Sequence, residues 1–435
     1  MTANLTIFAL SSAPGIGAIA LVRISGPDAL RALRQLSGHR EFEPRMAVRL
    51  ELKFENQILD DAIALYFAAP NSFTGEDVVE LNLHGGRAVV QGVLAALGKM
   101  DGLRLAEPGE FTRRAFENEK LDLTQAEAIA DLIHAETSLQ RAQALGQLGG
   151  GLSDLYHGWA GRLTKLLAHA EAEIDFPDED LPDGINQKLT PDIQTMISEL
   201  QNHLNDGRRG ERLRDGIQIA IIGAPNAGKS TLLNALAQRD VAIVTEIAGT
   251  TRDVIEVHLD LGGYPVTLLD TAGLRATDDI VEAEGIRRAH SRARDADLKL
   301  CLFDSRMEPD AATHALVDEN SIVVLTKNDL AQSGIRGIDI SATNGKGIDD
   351  LLAEMTRRLE EIFSTVRDVP SLTRARHREA LEETLSALQR AITAQSAELI
   401  AEDLRLALRA LGRITGRVDV EDLLDKIFRD FCIGK

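Results

Sequence analysis

Two cysteines in 435 residues, Cys301 and Cys432, are too few for a disulfide framework or a four-cysteine zinc site. The ten histidines are scattered, so nothing in their spacing points to zinc. No run of about 20 apolar residues occurs, which excludes a transmembrane helix, and the N-terminus lacks the basic flank and apolar core of a secretory signal. These absences point to a reducing cytoplasm. Basic residues are also in deficit: 48 Lys and Arg face 68 Asp and Glu, a net charge of −20. Such an acidic surface disfavours bulk, counterion-driven binding to nucleic acid and leaves room for recognition of a specific RNA through a local patch. With 44% hydrophobic and 27% charged residues the chain is globular, and its length suggests about three domains.

What is present falls into four textures. Residues 1–118 mix strand-like runs (Ala18–Ser25, Val48–Phe54, Ala62–Phe67, Val78–Leu83) with helical ones (Asp28–Leu36, Arg87–Met100), an α+β pattern. Residues 119–210 are helical. Leu121–Leu148 reads as one long helix with Asp122 or Thr124 as N-cap and Gly149–Gly151 as its stop. Glu171–Asp183 carries seven acids and no base, which reads as a solvated loop. Residues 216–365 alternate strands and helices in the doubly wound manner. Residues 370–435 are helical again, and the two helical stretches are expected to pack into one helical domain around the α/β insertion.

The insertion carries the most specific chemistry. The apolar strand Ile217–Ile222 runs into Gly223-Ala-Pro-Asn226-Ala227-Gly228-Lys229-Ser230-Thr231, which opens a helix. That is the strand–loop–helix setting of a phosphate loop. Its backbone N–H groups face phosphate oxygens, Lys229 reaches the β- and γ-phosphates, and the Ser230 hydroxyl ligates Mg²⁺. Leu268–Asp270 ends in Asp270-Thr271-Ala272-Gly273, where Asp270 addresses the magnesium shell through water and the Gly273 N–H senses the γ-phosphate.

A third strand, Ile322–Leu325, leads to Thr326-Lys327-Asn328-Asp329. An aspartate there accepts two hydrogen bonds from guanine that adenine does not offer. Ile338–Ile340 leads to Ser341-Ala342-Thr343, suited to a backbone contact with the guanine carbonyl, and Thr326 stands where asparagine is commoner, weakening one contact. Between these elements the segment Thr245, Glu246, Ile247, Ala248, Gly249, Thr250 and Thr251 suits a loop closing over the nucleotide, with Thr251 completing the magnesium shell. Leu274 follows the Asp-x-x-Gly element and cannot orient water, so a nearby carboxylate must do so: Glu282, Glu284, Asp278 and Asp279 all qualify. Together these elements describe a GTPase.

The flanks narrow the reading. Asn71–Gly86, Pro108–Thr137 and the terminal Phe431-Cys432-Ile-Gly-Lys435, with Thr250-Thr251-Arg252-Asp253, resemble the MnmE (TrmE) family of tRNA modification GTPases from about Ile7 to the last residue. The resemblance implies a homodimer with three parts: an N-terminal α+β folate-binding domain, a helical domain built from two segments, and an inserted Ras-like GTPase domain. It implies that the wobble uridine of certain tRNAs receives a carboxymethylaminomethyl or aminomethyl group at C5. The family works with the FAD-binding partner MnmG (GidA) in a heterotetramer-type complex, and the one-carbon unit comes from 5-formyl- or methylene-tetrahydrofolate. GTP hydrolysis is required.

By the same resemblance Glu282 orients the attacking water, and K⁺ is held by Asn226, Thr245, Ile247 and Thr250. The folate is held by Arg23, Glu80, Lys120 and Lys435, which local sequence alone reads as solvent-facing charges. Cys432 admits three readings: a poor prenylation signal, a packed thiol, or, by the resemblance, part of a terminal motif near the modification site with a catalytic role. Cys301 reads as core. The alternative to an enzyme is a non-catalytic GTPase switch such as a ribosome-assembly factor.

Overall fold

The computed structural model describes residues 5–39, 41–175, 185–243, 256–270, 296–331, 334–363, 370–418, 421–429 and 431–435. The chain divides into two compact units, one of Met1–Ala130, Leu148–Leu181 and Thr393–Lys435, the other of Asp131–Gln147 and Pro182–Ile392.

In the first unit six strands form one sheet: β1 (Thr6–Leu10), β2 (Ile19–Ser25), β3 (Val48–Phe54), β4 (Gln57–Phe67), β5 (Val78–His84) and β6 (Leu103–Leu105), ordered β3-β4-β5-β2-β1-β6. All neighbours are antiparallel except β1 and β6. Alternation sets the two faces. Val22 and Ile24 of β2, with Val79, Leu81 and Leu83 of β5, point into a core with Leu33 and Leu36 of helix Ala29–Ser37 and Val93 and Leu97 of helix Arg87–Gly98. Arg23, Glu80, Asn82 and His84 alternate with those core residues and take the other face. The long helices Gly151–Asp175 and Ala397–Thr415 pack on each other, the pairing expected of two distant helical stretches.

Two expectations are corrected. Leu121–Leu148 is not one helix but two, Leu123–His134 and Ser138–Leu148. The reason is local capping: Gln140 Oε1 accepts the Glu136 and Thr137 N–H groups at 3.0 and 3.1 Å, and Thr137 Oγ1 accepts the Gln140 N–H at 3.4 Å. A Thr-x-x-Gln box therefore starts a second helix where apolar spacing alone would continue the first. At the first start, Asp122 is the cap, its Oδ1 accepting from Gln125 N at 2.9 Å. Likewise Leu381–Leu411 is interrupted, helix Ala375–Thr393 ending before Ser396 takes an extended conformation and opens Ala397–Thr415.

The second unit holds a seven-stranded sheet: β7 (Ile217–Gly223), β8 (Ala242–Ile243), β9 (Glu256–Leu261), β10 (Tyr264–Asp270), β11 (Leu298–Asp304), β12 (Ser321–Thr326) and β13 (Ile338–Asp339). Its order is β13-β12-β11-β7-β10-β9-β8, parallel from β13 to β10 and antiparallel beyond. Gly262 and Gly263, at φ 64° and 95°, make the two-residue hairpin between β9 and β10. The antiparallel edge departs from a strictly doubly wound sheet. The central β7 is buried on both faces, as a parallel strand must be. Strand order reverses at β7, because β10 lies to one side and β11 to the other. A loop at its carboxyl end therefore sits at the switch point where such sheets bind ligands.

Candidate functional site

The phosphate loop occupies that position. Gly228 has φ 97° and Asn226 φ 64°, so the loop turns through left-handed conformations before helix Lys229–Ala237 begins. Lys229 is only 7% exposed, and its ammonium donates to the Gly223 and Ala224 carbonyls at 2.6 and 2.9 Å. These neutral partners hold the cation across the mouth of the loop without cancelling its charge. The Ser230 hydroxyl and the Asn226 amide make no hydrogen bond among the described residues, and both residues are exposed. Free oxygens of this kind suit a hard cation such as Mg²⁺ or K⁺.

The guanine-side motif lies next to this loop. Lys327, at φ 60°, sends its ammonium to Asn226 O at 2.7 Å and to Asp304 Oδ2 at 2.7 Å. Thr326 is buried, and its hydroxyl donates to Ala227 O at 2.7 Å, with Phe303 O at 3.2 Å. The threonine thus keeps a strand-to-loop tie at the position where the sequence suggested a weakened contact. Asn328 N–H donates to Ile340 O at 3.3 Å, joining the motif to the end of β13. Ser341 is bridged to Lys346 through N–H···O at 2.9 Å, shaping the Ser341–Thr343 turn beside it. Asp329 is exposed there. The structure therefore brings Asn226–Thr231, Thr326–Asp329 and Ser341–Thr343 to one end of the sheet, where β10 also ends at Asp270. Thr245–Thr251, Thr271–Gly273, Leu274 and Glu282 lie outside the described residues, as do the other candidate carboxylates.

On the open face of the first sheet, Arg23 and Glu80 are direct cross-strand partners. Both guanidinium donors go to one carboxylate oxygen, Nε at 3.0 Å and NH2 at 2.8 Å, leaving Glu80 Oε2 without a partner among the described residues. Aromatic rings flank the guanidinium, Phe73 at 5.5 Å and Phe111 at 5.8 Å. Neither charge is therefore a freely solvated one, as local sequence suggested. The stem of Lys120 lies against Gly75, whose missing side chain leaves room for it: a Cβ there would meet Lys120 Cε at 3.2 Å.

The C-terminal tail docks on the same unit. Ser11 Oγ donates to Gly434 O at 2.8 Å, and Ile433 bridges Pro108. A Cβ at Gly434 would stand 2.3 Å from Leu10 O, so only glycine fits this approach. Ala9, beside Leu10, is the register partner of Arg23 across β1 and β2. Phe428 and Phe431 anchor the tail with Leu123, Ala126 and Leu424. Cys432 is exposed, which overturns the packed-thiol reading, whereas Cys301 is buried in β11 as expected. No hydrogen bond or ion pair joins the side chains of Lys120 or Lys435 to Arg23 and Glu80 among the described residues.

Sequence reasoning missed Ser11, Phe73, Phe111 and Asp304. The aromatic pair has no local signal, since Phe73 and Phe111 meet Arg23 only through the fold. Asp304 had one: it ends an apolar strand, as Asp270 does.

With this geometry in view, comparison with known proteins is decisive. A family model described as the MnmE helical domain matches residues 123–432, and one described as the GTP-binding protein TrmE N-terminus matches residues 6–120. The chain belongs to the MnmE family. The relative in Parvibaculum lavamentivorans, named tRNA modification GTPase MnmE, is 56% identical over 99% of this chain and 100% of its own. A relative of the same name in Paramagnetospirillum magneticum is 54% identical over 99% of each chain, and another in Wolbachia is 46% identical over the full length of both. Among solved structures, the G domain of the FeoB iron transporter of T. maritima is 26% identical over 33% of this chain and 97% of its own. Its TM-score of 0.25 is too low to bear on the fold. No helix among the described residues is long and apolar enough to cross a membrane.

Proposed function

We propose that this chain hydrolyses GTP in the service of tRNA modification, adding a carboxymethylaminomethyl or aminomethyl group at C5 of the wobble uridine. The observation that carries the reading is the combination, in one chain, of a phosphate loop tied to a guanine-side motif with a C-terminal tail seated on the N-terminal sheet. A nucleotide switch with no further chemistry has no use for the second feature.

In this reading the loop N–H groups and Lys229 bind the phosphates, and Asp329 and the Ser341–Thr343 turn select guanine. Glu282 orients the attacking water. Ser230 and Thr251 would hold Mg²⁺, with Asp270 behind a water, while Asn226, Thr245, Ile247 and Thr250 would hold K⁺. Those cations supply positive charge beside the β–γ bridge, where negative charge spreads in the transition state.

On the N-terminal unit, Arg23, Glu80, Lys120 and Lys435 hold a tetrahydrofolate derivative, 5-formyl or methylene. The free Oε2 of Glu80 suits a pterin's donor edge, and the cations suit a glutamate tail. Exposed Cys432 stands close to this region, open to a catalytic role. The domains are residues 1–118 for folate binding and dimerisation, 119–210 and 370–435 for the helical part, and 216–365 for GTP. The protein acts as a cytoplasmic homodimer with the FAD-binding MnmG.

The test uses the purified full chain. GTP turnover is followed in potassium and in sodium at one ionic strength, and 5-formyl-tetrahydrofolate binding is titrated calorimetrically. Faster turnover in potassium and saturable folate binding are expected. Equal rates remove the ion from the mechanism, and GTP turnover without folate binding leaves a GTPase with no one-carbon source.

A further inference from the structure

None of the nucleotide motifs uses Asp304, although it stands between two of them. It is the last residue of β11 and the register partner of Thr326 on β12. Its side chain is 12% exposed. Oδ2 accepts from Lys327 Nζ at 2.7 Å, and that same ammonium reaches Asn226 O on the phosphate loop at 2.7 Å. From the other side Arg306 takes both carboxylate oxygens, Nε to Oδ1 at 3.0 Å and NH2 to Oδ2 at 2.8 Å. Its backbone N–H adds a bond to Oδ1 at 3.1 Å.

The arrangement is an anion held between two cations. The Arg306 hydrogen bonds, with Lys327 behind them, keep the Asp304 carboxyl well below the usual carboxylate range, so it is ionised wherever the protein is folded. Without it, an ammonium and a guanidinium would face each other across two hydrogen-bond lengths and repel. The mobile partner in that repulsion is Lys327, and moving it breaks its bond to the Asn226 carbonyl. Charge-assisted bonds of this kind are the stronger ones, and a lysine released from them has a flexible four-carbon stem to reorder.

We infer that Asp304 is a positioning residue for the guanine nucleotide, acting through Lys327 so that the guanine-side motif and the phosphate loop are held as one rigid cradle. The inference rests on the reading that residues 223–230 and 326–329 bind GTP.

The experiment measures the affinity and release rate of a fluorescent N-methylanthraniloyl-GDP on the full chain, for wild type, Asp304→Ala, Lys327→Ala and the double variant. Each single change is expected to weaken binding roughly tenfold, mostly through faster release. The double variant should be no weaker than the weaker single, because both remove one tie. Asp304→Asn keeps an acceptor and should recover part of the loss; it also gives a reading should the alanine variant not fold. Wild-type affinity in Asp304→Ala beside a weakened Lys327→Ala would overturn the inference, as would losses that simply multiply in the double variant. Wild-type affinity in Lys327→Ala would instead overturn the guanine-motif reading beneath it.

Discussion

Lys229 and Arg23 show two ways of holding a cation ready. Lys229 is 7% exposed and bonded only to the neutral carbonyls of Gly223 and Ala224. Arg23 has a side chain 16% exposed and is bonded twice to the carboxylate of Glu80. The first site keeps a net positive charge and offers it to any well-shaped polyanion, which gives up two neutral hydrogen bonds on binding. The second is electrically balanced. A plain anion gains little there, because it must draw Arg23 away from Glu80. A ligand that brings both donors and a negative group can satisfy the two partners together. Phosphate recognition therefore needs one free cation, and recognition of a bipolar ligand needs a pair.

The largest expected effect strikes the unbalanced site. Lys229→Ala should weaken guanine nucleotide binding roughly a thousandfold, the scale for losing one member of a buried, hydrogen-bonded charge contact. Equilibrium binding of a fluorescent GDP checks it, and a loss below tenfold would show the carbonyl-held ammonium to be incidental. Next comes Glu282→Ala, which should lower GTP turnover about a hundredfold with little change in nucleotide affinity, the mark of a group that acts only in the transition state. Steady-state kinetics beside the binding assay separates the two.

The balanced site gives a test of sign. Glu80→Ala leaves Arg23 a free cation. If the site takes a bipolar folate, affinity for 5-formyl-tetrahydrofolate falls roughly tenfold. If it were a simple anion site, the same change would tighten binding, so calorimetry on one variant discriminates.

The smallest effect concerns a buried group in neither site. His203, 8% exposed near the end of helix Ile185–Leu204, has its pKa lowered to about 4, chiefly by burial. Its folded pKa lies below the unfolded value, so the fold favours the neutral ring. That stability is intact above pH about 6.5 and drains away as pH falls towards 4, by about 3 kcal/mol in all. His203→Gln should flatten the dependence of urea midpoint on pH across that window, while an unchanged slope would assign the dependence elsewhere.

These comparisons also explain what the sequence made legible. The phosphate loop and the guanine-side motif are contiguous runs whose residues act where they stand in the chain, so Lys229 and Lys327 were readable directly. The partner of Arg23 is 57 residues away, and only the antiparallel register of β2 on β5 joins them. The same holds for Ser11 and Gly434, 423 residues apart. The break after His134 was missed for another reason: apolar spacing continues through it, and a four-residue capping box outweighs periodicity at a helix end. Thr326 shows the limit of reading by frequency, since its hydroxyl keeps a tie to Ala227 O at 2.7 Å.

The most direct test of the whole account is nucleoside mass spectrometry of tRNA from cells lacking this protein. The account predicts loss of the C5-modified wobble uridine, restored by the intact gene and not by Glu282→Ala. An unchanged nucleoside profile in cells with no second copy of the gene would contradict it and return the chain to the GTPase switches.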